Sequence, residues 1–403
     1  MKKAAFVIPW FADDIPGGAE METREVTRHL HEAGIEVEIL TTCVKEFVSD
    51  WSENFYPEGT EIIKGVPVRR FKAAKRDKDA FDRVNIKLMN GIMPSAAEEE
   101  IFINEMVNSP ELYRYIREHR EEYSAFFFIP YMFGTTYFGV KACPEKAVMI
   151  PCFHNEAYVY MKIFREMYSK VRGMLFNARP EYELAEKVYS LEGVKTVVMG
   201  TGVADEITSE PDRFREKFKI KEPFIIYAGR KDSGKNVHTL LKYFGEYKKR
   251  RPGDLKLILI GGGEIDIPES AAKDTIDLGF VDKQDKYDAA AACEFLCQPS
   301  KNESFSLVIM ESWLCGRPVL VHRDCAVTAN FARESGGGLY FGDYFEFEGC
   351  ADYFLENRQT AARMGRDGGR YVRENFAWNV IVEKYRKFLE EMEEEDKTDN
   401  GRL

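Results

Sequence analysis

The stretch YAGRKDSGKN, residues 227–236, holds the residues most suited to gripping an anion. Gly229, Gly234 and Lys235 fit G-x-x-x-x-G-K, the loop that cradles phosphate in nucleotide hydrolases. The Ser or Thr whose hydroxyl would ligate magnesium is replaced there by Asn236. A hydrolase would also need an apolar strand ending in Asp to hold the metal, but the run LKLILI ends in Gly261, Gly262 and Gly263. A strand entering a helix through a loop that bears Arg230 and Lys235 makes an anion site by itself, because helix-start N–H groups and fixed cations act together. Three readings stand: a magnesium-dependent hydrolase loop, a plain capped helix with surface charge, and a diphosphate site with no obligatory metal. The third is the expectation carried forward.

A second constellation is ESFSLVIME, residues 303–311. Ser304 and Ser306 are natural N-caps for an apolar helix reading SLVIMESWLCG. The N–H groups near Phe305, Ser306 and Leu307 would form another anion site. Eight residues separate Glu303 from Glu311, a helical rise of about 12 Å. Carboxylates that flank one glycosidic bond stand roughly 5 to 9.5 Å apart. The spacing suits two contacts along an extended ligand, with a ribose at one end and a sugar at the other. The plainer alternative makes Glu311 a surface residue of an amphipathic helix. His154, in FHNE, follows an apolar run and is a candidate because of that position; a lone histidine is otherwise structural.

These residues need elements to position them. Short apolar runs (AAFVIP, EVEILTT, SAFFFIP, AVMIPC, GMLFNA, TVVMG) alternate with amphipathic stretches, pause in the polar segment DEITSEPDRFREKFKIKEP, and resume with FIIYAG, LKLILIGGG, IDLGFV, EFLCQP and PVLVH. Strand–helix alternation predicts parallel sheets covered by helices on both faces. The chain of 403 residues is long for one core and is expected to form two α/β, doubly wound domains. In such sheets ligands bind outside the carboxyl ends of the strands. PGGAE (16–20), His154, Arg230 to Lys235, Gly261 to Gly263 and Glu303 all follow strands. The acidic ending EEMEEEDKTDN is expected to be a frayed, solvated end.

Composition narrows the function classes. The net charge of −11 argues against general nucleic-acid binding. No run approaches the ~20 apolar residues of a membrane span. The start, MKKAAFVIPWFADD, reads as a buried first strand because Asp13 and Asp14 cut its apolar run short. Eight cysteines, several in apolar runs, are expected to be reduced thiols of a cytoplasmic protein. Cys293 and Cys297 lack a second pair at ligand spacing, so no metal site is expected.

Taken together, Glu-x7-Glu after a strand ending in PS, GRKDSGK upstream and PGGAE near the start resemble the retaining glycosyltransferases of family 4. GTGVADEI (200–207) resembles that family's interdomain segment, LGFVDKQDKYDAAAACEFLCQPS its nucleotide-facing stretch, and FAWNVIVEKYRKFLEEM its C-terminal helix returning to the first domain. The resemblance implies the GT-B fold: two Rossmann-like domains facing across a cleft. Here they are residues 1–200 on the acceptor side and 201–375 binding the nucleotide-sugar, with 376–403 forming the return helix and tail. It implies that Arg230 and Lys235 hold the donor diphosphate, with Phe305, Ser306 and Leu307 giving N–H groups. Glu311 would hold the ribose and Glu303 would face the transferred sugar. Gly18 would lie by the phosphate or acceptor, and His154 beside the donor sugar. The implied activity is transfer of a hexose from a UDP- or GDP-sugar, with retention and without an obligatory cofactor, to a glycan or lipid-linked saccharide. A nucleotide-sugar epimerase or hydrolase of the same fold, and a non-catalytic transferase-like partner, are the alternatives.

The acceptor is less legible. KGVPVRRFKAAKRDK, residues 64–78, has seven basic residues and one acid. It is read either as a contact for an anionic acceptor or the inner membrane surface, where the protein would sit peripherally, or as a solvated loop.

Overall fold

The computed structural model describes residues 2–15 and 17–400. Pro16, the first residue of PGGAE, lies outside them. Contacts divide the chain into a first unit, Met1–Gly202 with Asn379–Leu403, and a second, Val203–Trp378.

The strands of the first unit are β1 (Lys3–Val7), β2 (Val37–Thr42), β3 (Gly59–Ile63), β4 (Val66–Phe71), β5 (Tyr123–Phe128), β6 (Ala147–Met149), β7 (Gly173–Phe176) and β8 (Lys195–Val198). They form one sheet in the order β3-β4-β2-β1-β5-β6-β7-β8, parallel except for the β3–β4 hairpin. Helices cover both faces, so the central strands are buried on both sides: every residue of Tyr123–Phe128 is buried. The second unit holds β9 (Phe224–Ala228), β10 (Lys256–Ile260), β11 (Thr275–Asp277), β12 (Leu296–Gln298), β13 (Val319–His322) and β14 (Gly338–Phe341). Its sheet runs β11-β10-β9-β12-β13-β14 and is parallel throughout.

Each order reverses direction once. From β1 the chain goes to β2 on one side and later to β5 on the other. From β9 it goes to β10 on one side and later to β12 on the other. Connections leaving such a pair diverge and open a crevice at the strands' carboxyl ends, where ligands of doubly wound sheets bind.

Three sequence expectations are corrected here. The basic stretch is a loop only in part, because residues 66–71 form β4 and Arg70 on it is only 3% exposed, whereas residues 72–77 are irregular. The acidic ending is not frayed: the helix Trp378–Asn400 runs through it. Arg172 pairs with Asp396, and Lys195 lies 2.8 Å from Glu391 and 2.9 Å from Glu395. This helix completes the first unit's core, where Tyr385 and Phe388 pack on Phe127 at ring separations of 5.6 and 6.3 Å. The apolar helix after EFLCQPS spans only Leu307–Leu314. Glu303 therefore precedes it, and the path from Glu303 to Glu311 is not all helical rise.

Candidate functional site

The β9/β12 switch point gathers the loop after β9 and the loop after β12. The first is shaped by close backbone approach. Gly229 N–H donates to Ile260 O at 2.9 Å and Lys231 N–H to Gly262 O at 2.9 Å. A Cβ on Gly261, whose φ is 131°, would sit 2.0 Å from Gly229 O. Only glycine lets the two strand ends lie this close. The loop then tightens into a 3₁₀ turn, Ser233–Lys235, capped by Asp232, whose carboxylate accepts from Lys235 N–H at 2.9 Å.

Asn236 answers the question its sequence position raised. It sits in the left-handed region at φ 57°, ψ 27°, a conformation asparagine tolerates and β-branched residues resist. Its Nδ2 donates to Pro299 O at 2.9 Å, and its Oδ1 accepts from Thr239 Oγ1 at 2.6 Å. The side chain is thus a tie between the two loops. The helix Val237–Arg250 starts directly after it.

The three cations of this loop have different fates. Lys231 is 5% exposed and held by both oxygens of Asp277 at 2.6 and 2.7 Å. Lys235 Nζ donates to Glu303 Oε1 at 2.7 Å, so the two predicted site residues meet across the switch point. Arg230 has 78% of its side chain exposed and approaches only Asp232, at 3.6 Å, among the described residues. Gln298 Nε2 also reaches Glu303 Oε1, at 3.4 Å, while its own Oε1 is buried without a partner.

Beyond Glu303, Phe305 is buried against Phe331 and Phe376. Ser306 stands before the helix at φ 82°, ψ 78°, makes no side-chain cap bond, and buries its Oγ unpartnered. A serine held at positive φ is strained and needs over-determining surroundings. Ser306 occupies the N-cap position without capping in the ordinary way. The start of this helix, at Leu307, has first-turn N–H groups without intrahelical acceptors. Glu311, on the same helix, pairs with Lys286 at 2.7 Å. Burial, followed by the nearby Glu311 charge, pushes the Tyr287 phenol up. Neither Asn236, Gln298 nor Lys286 was a site candidate in the sequence. The strand-end position of Gln298 was a usable signal, whereas the bond to Pro299 needs the fold.

The remaining predicted residues belong to the first unit. Gly18 opens the helix Gly18–Glu32, and space is open where its Cβ would be. His154 follows β6, is 30% exposed at its side chain, and has Nδ1 3.7 Å from Glu156 Oε1. Beneath this strand-end region lie buried acids. Glu181 accepts from Phe153 N–H at 2.7 Å and Asn177 N–H at 2.6 Å, and burial pushes its carboxyl up to about 8. Glu22 accepts from Asn177 Nδ2 and Thr201 Oγ1, both at 3.3 Å, and burial pushes it up to about 7.

The basic stretch is mostly neutralised. Lys64 pairs with Asp13, Arg70 with Glu61, Lys72 with Glu58 and Lys78 with Asp82. Arg69 lies over Tyr115 with Glu38 at 4.0 Å. No described helix is long and apolar enough to cross a membrane.

Comparison with known proteins follows the same division. The family model described as Glycosyl transferases group 1 matches residues 208–371, which lie within the second unit and include the whole β9/β12 site. Over 224 residues the chain is 27% identical to the N-acetylgalactosamine-N,N'-diacetylbacillosaminyl-diphospho-undecaprenol 4-alpha-N-acetylgalactosaminyltransferase of Campylobacter jejuni, covering 53% of this chain and 56% of that one. It is 29% identical over 218 residues to the D-inositol 3-phosphate glycosyltransferase of Corynebacterium efficiens, covering 49% and 51%. The chain spans about half the length of these curated relatives. Among solved structures, sucrose-phosphate synthase from Thermosynechococcus elongatus gives a TM-score of 0.69 at 14% identity, covering 97% of this chain and 99% of that one. HepE of Anabaena, in complex with UDP and glucose, gives 0.67 at 15%, covering 97% and 100%. WaaG, a glycosyltransferase involved in lipopolysaccharide biosynthesis, gives 0.60 at 13%, covering 96% and 99%. Likeness at this level of identity shows the fold, which is GT-B: two doubly wound parallel-sheet units in one chain.

Proposed function

We propose that the chain is a retaining glycosyltransferase that moves a hexose from a nucleotide-diphosphate sugar to a glycan or lipid-linked saccharide. The observation that carries the reading is the Lys235–Glu303 pair across the β9/β12 switch point, inside the segment matched by the glycosyl transferase model. Arg230 stands exposed on the same loop, and the Leu307 helix start lies just beyond Glu303.

In this reading the donor diphosphate takes Arg230, Lys235 and the N–H groups at Phe305, Ser306 and Leu307. Negative charge grows on the departing nucleoside diphosphate as the glycosidic bond breaks, so cations fixed in advance favour the transition state over the ground state. Before the donor arrives, Glu303 holds the Lys235 side chain in place. On donor binding the diphosphate shares Lys235, and Glu303 is left beside the sugar, which becomes oxocarbenium-like as in glycoside hydrolysis. Glu311 holds the ribose. The Asn236 amide ties the two loops together at both ends, a structural role in place of the metal-ligating hydroxyl, and this supports a diphosphate site with no obligatory metal. In the first unit Gly18 serves the phosphate or acceptor and His154 the transferred sugar.

UDP-glucose is the first donor to test, because solved structures of this fold hold UDP or UDP-glucose. Two relatives also carry phosphate in their names, as diphospho-undecaprenol and as D-inositol 3-phosphate, which favours a phosphorylated acceptor. The experiment is a panel of UDP- and GDP-sugars with and without glycan and polyprenyl diphosphate saccharide acceptors, with the product anomer read by NMR. An acceptor-dependent product that keeps the donor's anomeric configuration supports the reading. An inverted product, or equal donor breakdown with and without any acceptor, refutes it.

A further inference from the structure

We propose that Arg76 and the aromatic wall beneath it form a subsite for an anionic oxygen group, phosphate or carboxylate, carried on the acceptor saccharide. The inference rests on the transferase reading and names the acceptor's chemical class.

The place comes from topology. The first unit's sheet reverses at β1/β5, and an aromatic group lines the carboxyl ends of those strands. Trp10 follows β1 and Phe133 follows β5, with ring centroids 5.1 Å apart. Trp51, from the segment after β2, stacks 5.8 Å from Trp10 and stands 6.2 Å from Phe133. Phe81 meets Trp51 edge-on at 5.5 Å. Trp10, Phe81 and Phe133 are buried and back the wall; its open part is Trp51, which is partly buried, and the adjoining Phe47, which is 60% exposed.

Arg76 lies over this wall, its Cζ 4.5 Å from the Trp51 ring centre and 4.7 Å from that of Phe81. Its Nε is buried with no hydrogen-bond partner. Among the described residues its guanidinium makes no ion pair, although five other cations of residues 64–78 are matched with acids. The carboxylates that feel its charge are Asp82, Asp50 and Glu105, and each is engaged elsewhere. Asp82 pairs with Lys78, Asp50 accepts from Ser52, and Glu105 accepts from Asp77 N–H. A guanidinium packed against rings, with no acid or acceptor engaging its donors, keeps its terminal N–H groups for a carboxylate or phosphate. Trp51 and the adjoining Phe47 give the apolar face of a sugar something to cover. An arginine already stacked and partly desolvated, with donors unspent, needs little further ordering to bind.

The same chemistry can come from a soluble sugar phosphate, a uronic acid or a lipid-linked diphosphate, and the experiment separates them. Tryptophan emission, to which Trp51 contributes as one of four tryptophans and whose Trp51 share is taken by difference from Trp51→Phe, is followed while the full chain is titrated with glucose 6-phosphate, glucuronate or glucose. A second set uses phosphatidylcholine vesicles with and without a polyprenyl diphosphate. The expected result is a saturable change with at least one anionic probe, whose identity gives the source, and none with glucose or plain vesicles. Arg76→Gln weakens that affinity roughly ten- to a hundredfold, the loss expected when hydrogen bonds to a charged group are removed. Arg76→Lys, which keeps charge without the planar fork, falls between. Far-UV circular dichroism and the melting profile, measured in parallel, stay at the wild-type values in both variants and show that the first unit is folded, and UDP affinity is unchanged. Equal response to glucose, unchanged affinity in Arg76→Gln, or no response to any anionic probe overturns the subsite. Absence of UDP binding in the wild type strikes the transferase reading instead.

Discussion

Replacing Asn236 by Thr would complete the pattern G-x-x-x-x-G-K-[ST], and the structure predicts a loss of stability without a gained metal site. Asn236 sits at φ 57°, where a β-branched residue pays about 1–2 kcal/mol. Threonine also loses the Nδ2 bond to Pro299 O, about 1 kcal/mol. The sum of about 2–3 kcal/mol corresponds, for a unit of this size, to a transition lowered by about 5–10 °C. Asn236→Gly separates the terms: it removes the tie but suits the backbone, so about 1 kcal/mol and roughly 2–4 °C are expected. The assay is calorimetric melting of the full chain, following the transition that UDP raises, with phosphate release from ATP and GTP measured in magnesium. A Thr variant as stable as wild type would refute the reasoning. So would a Gly variant as damaged as Thr, or magnesium-dependent hydrolysis appearing in the Thr variant.

Three further outcomes are expected. Arg230→Ala and Lys235→Ala each reduce turnover by orders of magnitude; for the exposed Arg230 the melting temperature should barely move, and EDTA should leave wild-type turnover largely intact. Glu311→Gln weakens UDP and UDP-sugar alike, whereas Glu303→Gln spares UDP and impairs the sugar-dependent step; equal losses for both ligands in both variants would show that the roles are not divided. Burial pushes the Glu22 carboxyl up to about 7 from its ordinary 4.5. Its contribution to stability is therefore lost as pH rises through that interval. Glu22→Gln should gain on the wild type from pH 5 to 8 in paired melting curves, and a constant difference would contradict the assignment.

Strand–helix alternation made both sheets legible, and the positions of Gly229 and Pro299 after apolar runs marked the strand ends that build the site. What escaped depends on contacts between residues distant in sequence. Lys231 and Lys235 look interchangeable in GRKDSGK until Asp277 is seen to hold the first. β4 was hidden because its inward Arg70 breaks the apolar pattern; the arginine is accepted there because Glu61 and the Phe11 carbonyl satisfy its guanidinium. The acidic ending looked solvated because its partners, Arg172 and Lys195, lie some two hundred positions upstream.

That last helix also sets an order of assembly on the ribosome. The second unit is an insertion: Val203 pairs with Ala377 at its two ends, and only from Asn379 does the chain resume the first. Tyr385, Phe388, Leu389 and Met392 are buried in the described structure. A nascent chain therefore holds every strand of its first sheet while the wall that covers Phe6 and Phe127 is still unsynthesised. The second unit, contiguous in sequence, has all its residues earlier and can close first, since domains fold as units when their chain is available. A message truncated before Asn379 would release a protein whose second-unit sequence is whole and whose first core cannot be completed.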